Sequence, residues 1–411
     1  MRILLISPFF PPEVGSASHL YFELGQALRG RQHEVMVLTG LPRYHVVDNS
    51  GKYRRRLLVK ENYHGLDVVR VVNLDIPWHI PLFRGLDQWV SALSIGLAGL
   101  GLPDFDVAMV YSPPLPLALA VLSFCRLRRR PVVVNIQDLF PQSAIDLGVL
   151  RNSSLIRIFR DLESFLYRHA DMIMVHSQGN REYVMKAGGG PERVLVVPNW
   201  VDTHAIKPGP RDNGFRMILG LQNHFIVSFA GIMGYSQDLE TVLKCARILI
   251  NHPDIAFLLV GDGVEKKNLI TMAETMHLNN VHFLPIQPKD KYPEVLGASD
   301  LCLVTLRREV QTPVVPSKIL SIMAAGRPVL AGLPLEGDAP RLIRDARCGL
   351  CIPPGEPEAM AQSVLKFYQE PALREEMGVN GRQYAETHLS LDSCVVRLER
   401  HLQEVQDTKG S

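Results

Sequence analysis

Short apolar runs recur along the whole chain and predict buried β-strands. In the first half they occupy residues 3–6, 35–38, 107–110, 132–134, 172–175 and 194–197. In the second half they occupy residues 226–229, 257–260, 281–284, 301–304 and 329–331. The runs do not alternate with polar residues, which is typical of strands buried on both faces of a parallel sheet.

Helical patterns lie between many of these runs, as at Leu239, Val242, Leu243 and Ala246 with their i, i+3, i+4, i+7 spacing. Alternating strands and helices in both halves predict an α/β protein with two doubly wound domains. A stretch rich in Pro, Gly and Asn follows residue 198. We therefore expect the domains at 1–200 and 201–388.

The tail, residues 389–411, carries an apolar stripe at Val395, Leu398, Leu402 and Val405. Such a stripe predicts a terminal helix that covers one of the domains, and a return to the first domain is one arrangement.

Composition narrows the function classes. The chain has 411 residues, 46% of them hydrophobic, and a net charge of +2, which fits two cores and argues against a general nucleic-acid binder. Residues 1–200 hold 22 Lys and Arg against 17 Asp and Glu. Arginines cluster there at 54–56 and 128–130. These clusters are either solvated loops or a basic face that meets anionic lipid headgroups.

Cysteines and hydropathy indicate the compartment. Six cysteines without dense spacing favour a reducing environment, and we interpret Cys348-Gly-Leu-Cys351 as a bystander CxxC. The prolines directly after residue 7 do not suit a signal peptide. The most apolar stretch, 89–102, is too short to span a membrane and predicts a core or interfacial helix. We expect a cytoplasmic protein, with peripheral contact to the inner face of the membrane as an option.

Candidate ligand-binding segments follow the predicted strands, where ligands gather in open α/β sheets. Glycines in such loops let a backbone approach a phosphate, and the next helix start offers free N–H groups. The segments contribute Gly15 and Ser16 after the first strand, Gln137 and Asp138 after the strand at 132–134, Gly231 and Gly234 after 226–229, and Gly261 and Gly263 after 257–260. Asp138 is a candidate for contact with a reacting hydroxyl or for capping the next helix.

Metal and other common catalytic motifs are missing from the sequence. The fourteen histidines form no HxxxH or HExxH pair, so we predict no metal site. The chain has no GxSxG elbow and no Walker loop.

Lys318 stands at the predicted start of the apolar helix that precedes Gly326-Arg327-Pro328. A cation is unfavourable at a helix N-terminus because the helix dipole is positive there. An anion shared by Lys318 and the helix end, such as a diphosphate, would remove that conflict.

Several motifs together resemble the retaining glycosyltransferases of family 4. They are PP…GSA near the start, QHEVMVLT at 32–39, VPNWVD at 197–202, VGDG at 260–263 and PSKI…MAAGRPV at 316–329. The PSK form is similar to the branch that builds O-antigen and capsule, including N-acetylfucosaminyl transferases. The resemblance covers nearly the whole chain. It implies a GT-B fold, in which two doubly wound Rossmann-like domains face a central cleft.

The resemblance also implies a UDP-sugar donor bound by the second domain, as a substrate and not a cofactor, and a lipid-linked saccharide acceptor on the first domain. It implies retention at the anomeric carbon, no required metal and catalytic roles for Asp138 and Lys318. Acceptor contacts fall on Gln137 and Asp138. Donor contacts fall on Gly15, Ser16, Asn199, Gly231, Gly234, Gly261, Gly263, Phe283, Ser317, Lys318 and Ser321.

The chain departs from the family pattern at two places. An Arg and a Lys usually follow the first glycine of the loop that begins here at Gly231, and neither is present. The family's Glu-x7-Glu pair falls on Pro313 and Ser321, so both carboxylates are missing, although Glu309 lies nearby.

The sequence therefore predicts transfer of a sugar, an N-acetylated or deoxy hexose, from a UDP-sugar to a lipid-linked saccharide in cell-surface polysaccharide synthesis. The alternatives are a UDP-sugar 2-epimerase of the same fold and a non-enzymatic two-lobed binder. A dinucleotide oxidoreductase is disfavoured, because no GxGxxG with an acidic residue about 20 positions later is present.

Overall fold

In the computed structural model of the protein, the chain divides into two compact units. The first comprises Met1–Pro198 together with Cys394–Ser411, and the second comprises Asn199–Ser393. The described residues are 1–13, 16–42, 52–53, 56–72, 81–146, 148–310 and 315–410, without the side chains of residues 16, 81–84 and 408–410.

The first unit is a parallel sheet with helices packed on it. Its strands are β1 (Arg2–Ser7), β2 (Glu34–Gly40), β3 (Leu58–Tyr63), β4 (Leu66–Val71), β5 (Val107–Ser112), β6 (Val132–Ile136), β7 (Met172–Val175) and β8 (Val194–Val196). Its helices are α1 (Ser16–Gly30), α2 (Pro81–Leu100), α3 (Leu115–Leu127), α4 (Gln142–Asp146), α5 (Ser153–His169) and α6 (Gln178–Lys186).

The described strands of this unit lie in the order β3-β4-β2-β1-β5-β6-β7-β8. All neighbouring strands are parallel except β3 and β4, which pair antiparallel. The strand order reverses between β1 and β5, so the segments after these two strands border the position where doubly wound sheets bind ligands.

The second unit has the same kind of architecture. Its strands are β9 (Phe225–Ala230), β10 (Ile255–Val260), β11 (Val281–Leu284), β12 (Leu301–Thr305), β13 (Val329–Gly332) and β14 (Gly349–Ile352). Its helices are α7 (Gly214–Leu219), α8 (Leu239–Ile248), α9 (Lys266–Thr275), α10 (Tyr292–Ala298), α11 (Ser317–Ala324), α12 (Asp338–Asp345), α13 (Pro357–Gln369) and α14 (Pro371–Tyr384), which continues into a π-helical turn, Ala385–Leu389. The described strands lie in the parallel order β11-β10-β9-β12-β13-β14, and the order reverses between β9 and β12.

Two polar caps fix the starts of helices in the first unit. The Asn152 side chain accepts hydrogen bonds from the backbone N–H groups of Ser154 and Leu155, which begins α5. The Ser177 hydroxyl accepts from the N–H of Asn180 and begins α6. Both caps satisfy backbone donors that lack partners in the first helical turn.

The last helix, α15 (Leu391–Gly410), belongs to the first unit from Cys394 onward. Its predicted stripe of Val395, Leu398, Leu402 and Val405 is buried. Glu399 of this helix accepts hydrogen bonds from Arg31 Nη2 at 2.6 Å and contacts His33 Nε2 at 2.7 Å. The tail therefore completes the surface beside the start of β2.

Candidate active site

Lys318 lies at the start of α11, at the carboxyl edge of the second sheet. Its Nζ donates to Gln237 Oε1 at 3.1 Å and lies 4.7 Å from the centre of the Phe229 ring. No carboxylate of the described residues forms an ion pair with it. Burial lowers the pKa of Lys318 to about 8, because a charged amine is less stable away from water.

The glycine loops after β9 and β10 lie directly beside Lys318. A Cβ on Gly231 would come within 2.4 Å of Lys318 Cε, and one on Gly261 within 1.9 Å of the Gly231 carbonyl oxygen. Gly231, Gly261 and Gly263 have φ angles of +147°, +155° and +151°. Only glycine fits both the space and the dihedral angles, so the two backbones approach each other beside a cation.

Two further cations reach this edge that the motifs did not identify. Arg307 follows β12, its backbone N–H donates to the Ser236 carbonyl at 3.0 Å, and its Nη2 donates to Glu240 at 3.1 Å. The Nε of Arg307 is buried and makes no hydrogen bond with the described residues. Lys266, at the start of α9, donates to the Gly261 carbonyl at 2.8 Å. Arg307 and Lys266 both lie in segments that follow predicted strands, and this position in the sequence could have identified them.

The other donor candidates are placed around the same edge, with different environments. Ser317 is exposed at the first position of α11, and Phe283 is half-buried in β11. Gly234 accepts a backbone hydrogen bond from Gln237 at 3.0 Å. Ser321 shares a hydrogen bond with the Tyr292 phenol.

Three donor candidates are not located at this edge by the structure. Asn199 is the first residue of the second unit and is half-buried. Gly15 lies outside the described residues, as does the side chain of Ser16.

Asp138 lines a cavity of about 470 Å³ in the first unit. The cavity borders the reversal of strand order, since its walls include segments after β1 and β5, one side of α2, and α4. Its lining is mostly apolar, with Pro8, Phe9, Ile95, Leu117 and Phe140 among the contacts, and Asp87, Gln88, Ser91 and Ser143 add polar groups.

The Asp138 carboxylate accepts a hydrogen bond from the Ser143 hydroxyl at 2.8 Å. Burial raises the pKa of Asp138, and the nearby Asp146 charge adds to that effect. Gln137 does not join it among the cavity's described lining residues. Its amide donates instead to the buried Asn135 side chain at 2.9 Å. Although Gln137 and Asp138 are adjacent in the sequence, only Asp138 is among the cavity's described lining residues.

A larger cavity, about 610 Å³, lies at the opposite edge of the second sheet. Two of its arginines bind carbonyls at the ends of helices. Arg374 donates to the Tyr368 carbonyl in the last turn of α13, and Arg382 donates to the Ala324 carbonyl at the end of α11. Cations at helix C-termini balance the negative end of the helix dipole. These arginines therefore have a structural role at the edge opposite Lys318.

Neither a metal cluster nor a membrane span was found in the part of the chain that the structure describes. No group of three His, Cys, Asp or Glu side chains is arranged there to hold a metal ion. None of the helices found there combines the length and the hydropathy needed to cross a bilayer.

Two family models match the chain. One, described as a glycosyl transferase 4-like domain, covers residues 18–200, and the other, glycosyl transferases group 1, covers residues 215–384. The chain belongs to the glycosyltransferase families that these two models describe. Its two sheets thus correspond to the two matched regions, and Lys318 and Asp138 lie in different ones.

Relatives of this glycosyltransferase include two bacterial proteins. WbjE of Pseudomonas aeruginosa, described as a glycosyltransferase, is 27% identical over 234 residues, 56% of this chain and 58% of WbjE. WcaI of Escherichia coli K12, described as a colanic acid biosynthesis glycosyl transferase, is 23% identical over 96% of this chain and 98% of WcaI. The chain thus spans just over half of WbjE and nearly all of WcaI.

Solved structures share the fold of this glycosyltransferase. Anabaena HepE in complex with UDP superposes with a TM-score of 0.75 at 19% identity, covering 98% of this chain and 100% of HepE. WaaG, a glycosyltransferase involved in lipopolysaccharide biosynthesis, gives 0.68 at 15% identity, covering 97% and 99%. The fold is therefore GT-B, as the motifs predicted.

Proposed function

We propose that the protein transfers a sugar from a UDP-sugar to a hydroxyl of a lipid-linked saccharide during cell-surface polysaccharide synthesis. The sugar class that the O-antigen and capsule resemblance favours is an N-acetylated or deoxy hexose. A relative named for colanic acid synthesis and a fold neighbour solved with UDP support this assignment.

The observation that carries the proposal is the environment of Lys318. A part-buried ammonium, with no carboxylate partner among the described residues, lies against two glycine loops and the start of a helix. Each of these groups favours an anion, and together they match a diphosphate. Negative charge develops on a nucleoside diphosphate as it leaves, so the same groups stabilise the transition state.

Arg307 supplies the second positive charge in this proposal. The family pattern places an Arg and a Lys in the loop after β9, and this chain has neither. Arg307 contacts that loop through Ser236 and has a buried Nε with no partner among the described residues. An unpaired N–H of a guanidinium is suited to a phosphate oxygen.

The acceptor binds in the cavity lined by Asp138 in this proposal, and the carboxylate orients it by accepting a hydrogen bond from a hydroxyl beside the reacting one. The bond from the anomeric carbon to the diphosphate breaks, the bond to the acceptor oxygen forms on the same face, and the acceptor proton passes to a diphosphate oxygen. This retaining route requires no protein nucleophile and no metal, as the family resemblance implies.

A panel of UDP-, GDP- and dTDP-sugars tests the donor class. We expect a thermal shift selective for UDP compounds, and release of UDP only when a lipid-linked saccharide is present. Proton NMR of the product then reports whether the anomeric configuration is retained. Conversion of the UDP-sugar without acceptor would favour an epimerase, and a shift without turnover would favour a binder.

We also propose that α2 rests on the membrane. One side of this helix exposes five large apolar residues at i, i+3 and i+4 intervals, and each is 45–63% exposed: Leu86, Trp89, Leu93, Leu97 and Leu100. The acidic residue in the described part of α2, Asp87, is buried. Such a helix suits the interface between headgroups and acyl chains.

Positive charge lies at the end of the same helix. Arg128 donates to the carbonyls of Gly99 and Leu102, which brings the end of α3 against the end of α2. Arg126 and Arg129, on either side of Arg128, are exposed. An apolar stripe beside exposed arginines fits an anionic bilayer better than a neutral protein partner. The side of α2 toward the sheet lines the cavity with Asp138, so a lipid-linked acceptor would be presented at the membrane surface.

Sedimentation with phosphatidylglycerol-containing vesicles at low salt tests this docking. We expect the wild type to bind and the double variant Trp89→Ser, Leu93→Ser to lose most binding. Val379→Ser, which removes a 59% exposed apolar residue of α14, is the matched control and keeps wild-type binding. Equal binding by all three proteins would contradict the role of α2.

A further inference from the structure

Glu163 is a buried carboxyl group that the proposed reaction does not use, on the helix whose Phe159 packs against the wall of the acceptor cavity. It lies on α5 with 2% of its surface exposed. The Tyr167 hydroxyl donates to its Oε1 at 3.0 Å, and the Tyr183 hydroxyl of α6 donates to its Oε2 at 3.4 Å. Two phenols thus hold one carboxyl group, and they join α5 to α6.

Contacts lead from this group to the acceptor cavity. The Asp138 carboxylate acts electrostatically on the Tyr167 phenol, and Asp146 of α4 acts on Tyr183. Phe159 of α5 packs edge-on against Phe140, with ring centres 5.1 Å apart, and Phe140 lines the cavity.

The charges around Glu163 are unbalanced. Asp138 and Asp146 face this region from the end of β6 and from α4, and Arg160 is the cation that acts on Glu163. From α3, Arg126 reaches the His169 carbonyl at the far end of α5. Burial raises the pKa of Glu163 to about 7, against hydrogen bonds from Tyr167 and Tyr183 that lower it. The group therefore changes charge near neutral pH.

We propose that Glu163 is a positioning residue of the acceptor site, whose proton directs the Tyr167 and Tyr183 hydroxyls and, through Tyr167, acts on Asp138. When Glu163 is ionised, it accepts both phenolic hydrogens, so the Tyr167 hydroxyl, which interacts electrostatically with Asp138, is held toward Glu163. Asp138 then accepts more strongly from the acceptor. When Glu163 is neutral, one phenol is no longer held. This inference rests on the proposed function of the cavity.

The test is the pH dependence of acceptor KM at saturating donor. For the wild type we expect the acceptor KM to fall about threefold to tenfold from pH 6 to 8, while kcat changes little. A tenfold change in KM corresponds to about one pKa unit of interaction between Glu163 and the acceptor site. Glu163→Gln should hold KM at its low-pH value throughout. Tyr183→Phe removes a hydrogen bond that lowers the pKa of Glu163, so the midpoint should move to higher pH.

Asp161→Asn is the matched control, because Asp161 is exposed on the same helix and should keep the wild-type profile. If Glu163 had a purely structural role, Glu163→Gln would lower the stability of the protein and leave the shape of the KM profile unchanged. Parallel profiles for wild type, Glu163→Gln and Tyr183→Phe would overturn the proposal.

Thermal unfolding separates this inference from the proposed function. The folded wild type binds more protons than the unfolded chain between pH 4.5 and about 7, so its stability falls as pH rises through that window. Glu163→Gln should lack this decline, as should Glu163→Leu if the amide variant does not fold. If no acceptor turns over, the proposed function fails, whatever the unfolding data show. Identical pH dependence of unfolding for wild type and variants would instead overturn the titration of Glu163.

Discussion

Replacing Lys318 by methionine should stabilise the protein without ligand and weaken its response to UDP. The pKa of Lys318 falls from 10.5 to about 8 on folding. At about 1.4 kcal/mol per pKa unit, the folded state at pH 7 holds a charge that costs up to about 3 kcal/mol. Methionine keeps the length of the side chain and its contact with Phe229 without the charge.

The expected gain for Lys318→Met at pH 7 is about 1–3 kcal/mol, or roughly 2–4 °C in Tm for each kcal/mol in a unit of this size. The sign of the pH dependence follows from the lowered pKa. Between pH 8 and 10.5 the unfolded wild type binds more protons than the folded one, so its stability rises with pH and the advantage of the variant shrinks.

Calorimetric unfolding from pH 7 to 10, with and without UDP, measures both effects. A bound diphosphate should raise the Tm of the wild type most below pH 8, where Lys318 is charged, and should raise that of Lys318→Met much less. A variant that is less stable at pH 7, or that gains as much from UDP as the wild type does, would refute the reasoning. Gln237→Met, which removes the hydrogen-bond partner of Lys318, serves as a control that keeps the charge.

Two further predictions concern the other parts of the site. Asp138→Asn should lower kcat by about 100-fold, measured in a coupled UDP-release assay, because the acceptor is no longer oriented. The thermal shift by UDP should be unchanged, and a loss of UDP binding would contradict an acceptor role. Gly261→Ala should unfold at a markedly lower urea concentration, with a loss of about 1–3 kcal/mol or more in the free energy of unfolding. The reason is that its Cβ would lie 1.9 Å from the Gly231 carbonyl oxygen and that its φ is +155°. Gly209→Ala, whose Cβ would have nothing within 4 Å, should match the wild type.

The interior of both sheets could be predicted from the sequence, because strands buried on two faces are apolar throughout. Three strands were missed. β3 and β14 are the outer strands of their sheets, and β4 lies between β3 and β2, where Asp67 and Arg70 interrupt its apolar residues. β3 reads LVKENY and alternates between exposed and half-buried positions. β14 begins inside the Cys348–Cys351 segment, whose cysteines gave no strand signal. Edge strands bury less surface, so their sequences carry a weaker pattern.

The candidate site was predictable where chemistry and backbone geometry coincide. Gly231, Gly261 and Lys318 stand out because a glycine after a strand and a lysine at a helix start are both unusual unless a ligand is near. Arg307 and Glu163 did not stand out. The role of Arg307 depends on the loop after β9 folding against it, and the environment of Glu163 depends on tyrosines from two helices. Such long-range packing leaves no local pattern.

The return of α15 to the first unit has a consequence for biosynthesis. The first unit leaves the ribosome first but completes its folding last. Its contact between Glu399 and the side chains of Arg31 and His33 joins residues more than 360 positions apart. Until then the newly made first unit exposes the groove that Val395, Leu398 and Leu402 fill. A stop codon near the 3′ end of the gene would therefore damage the first unit and spare the second.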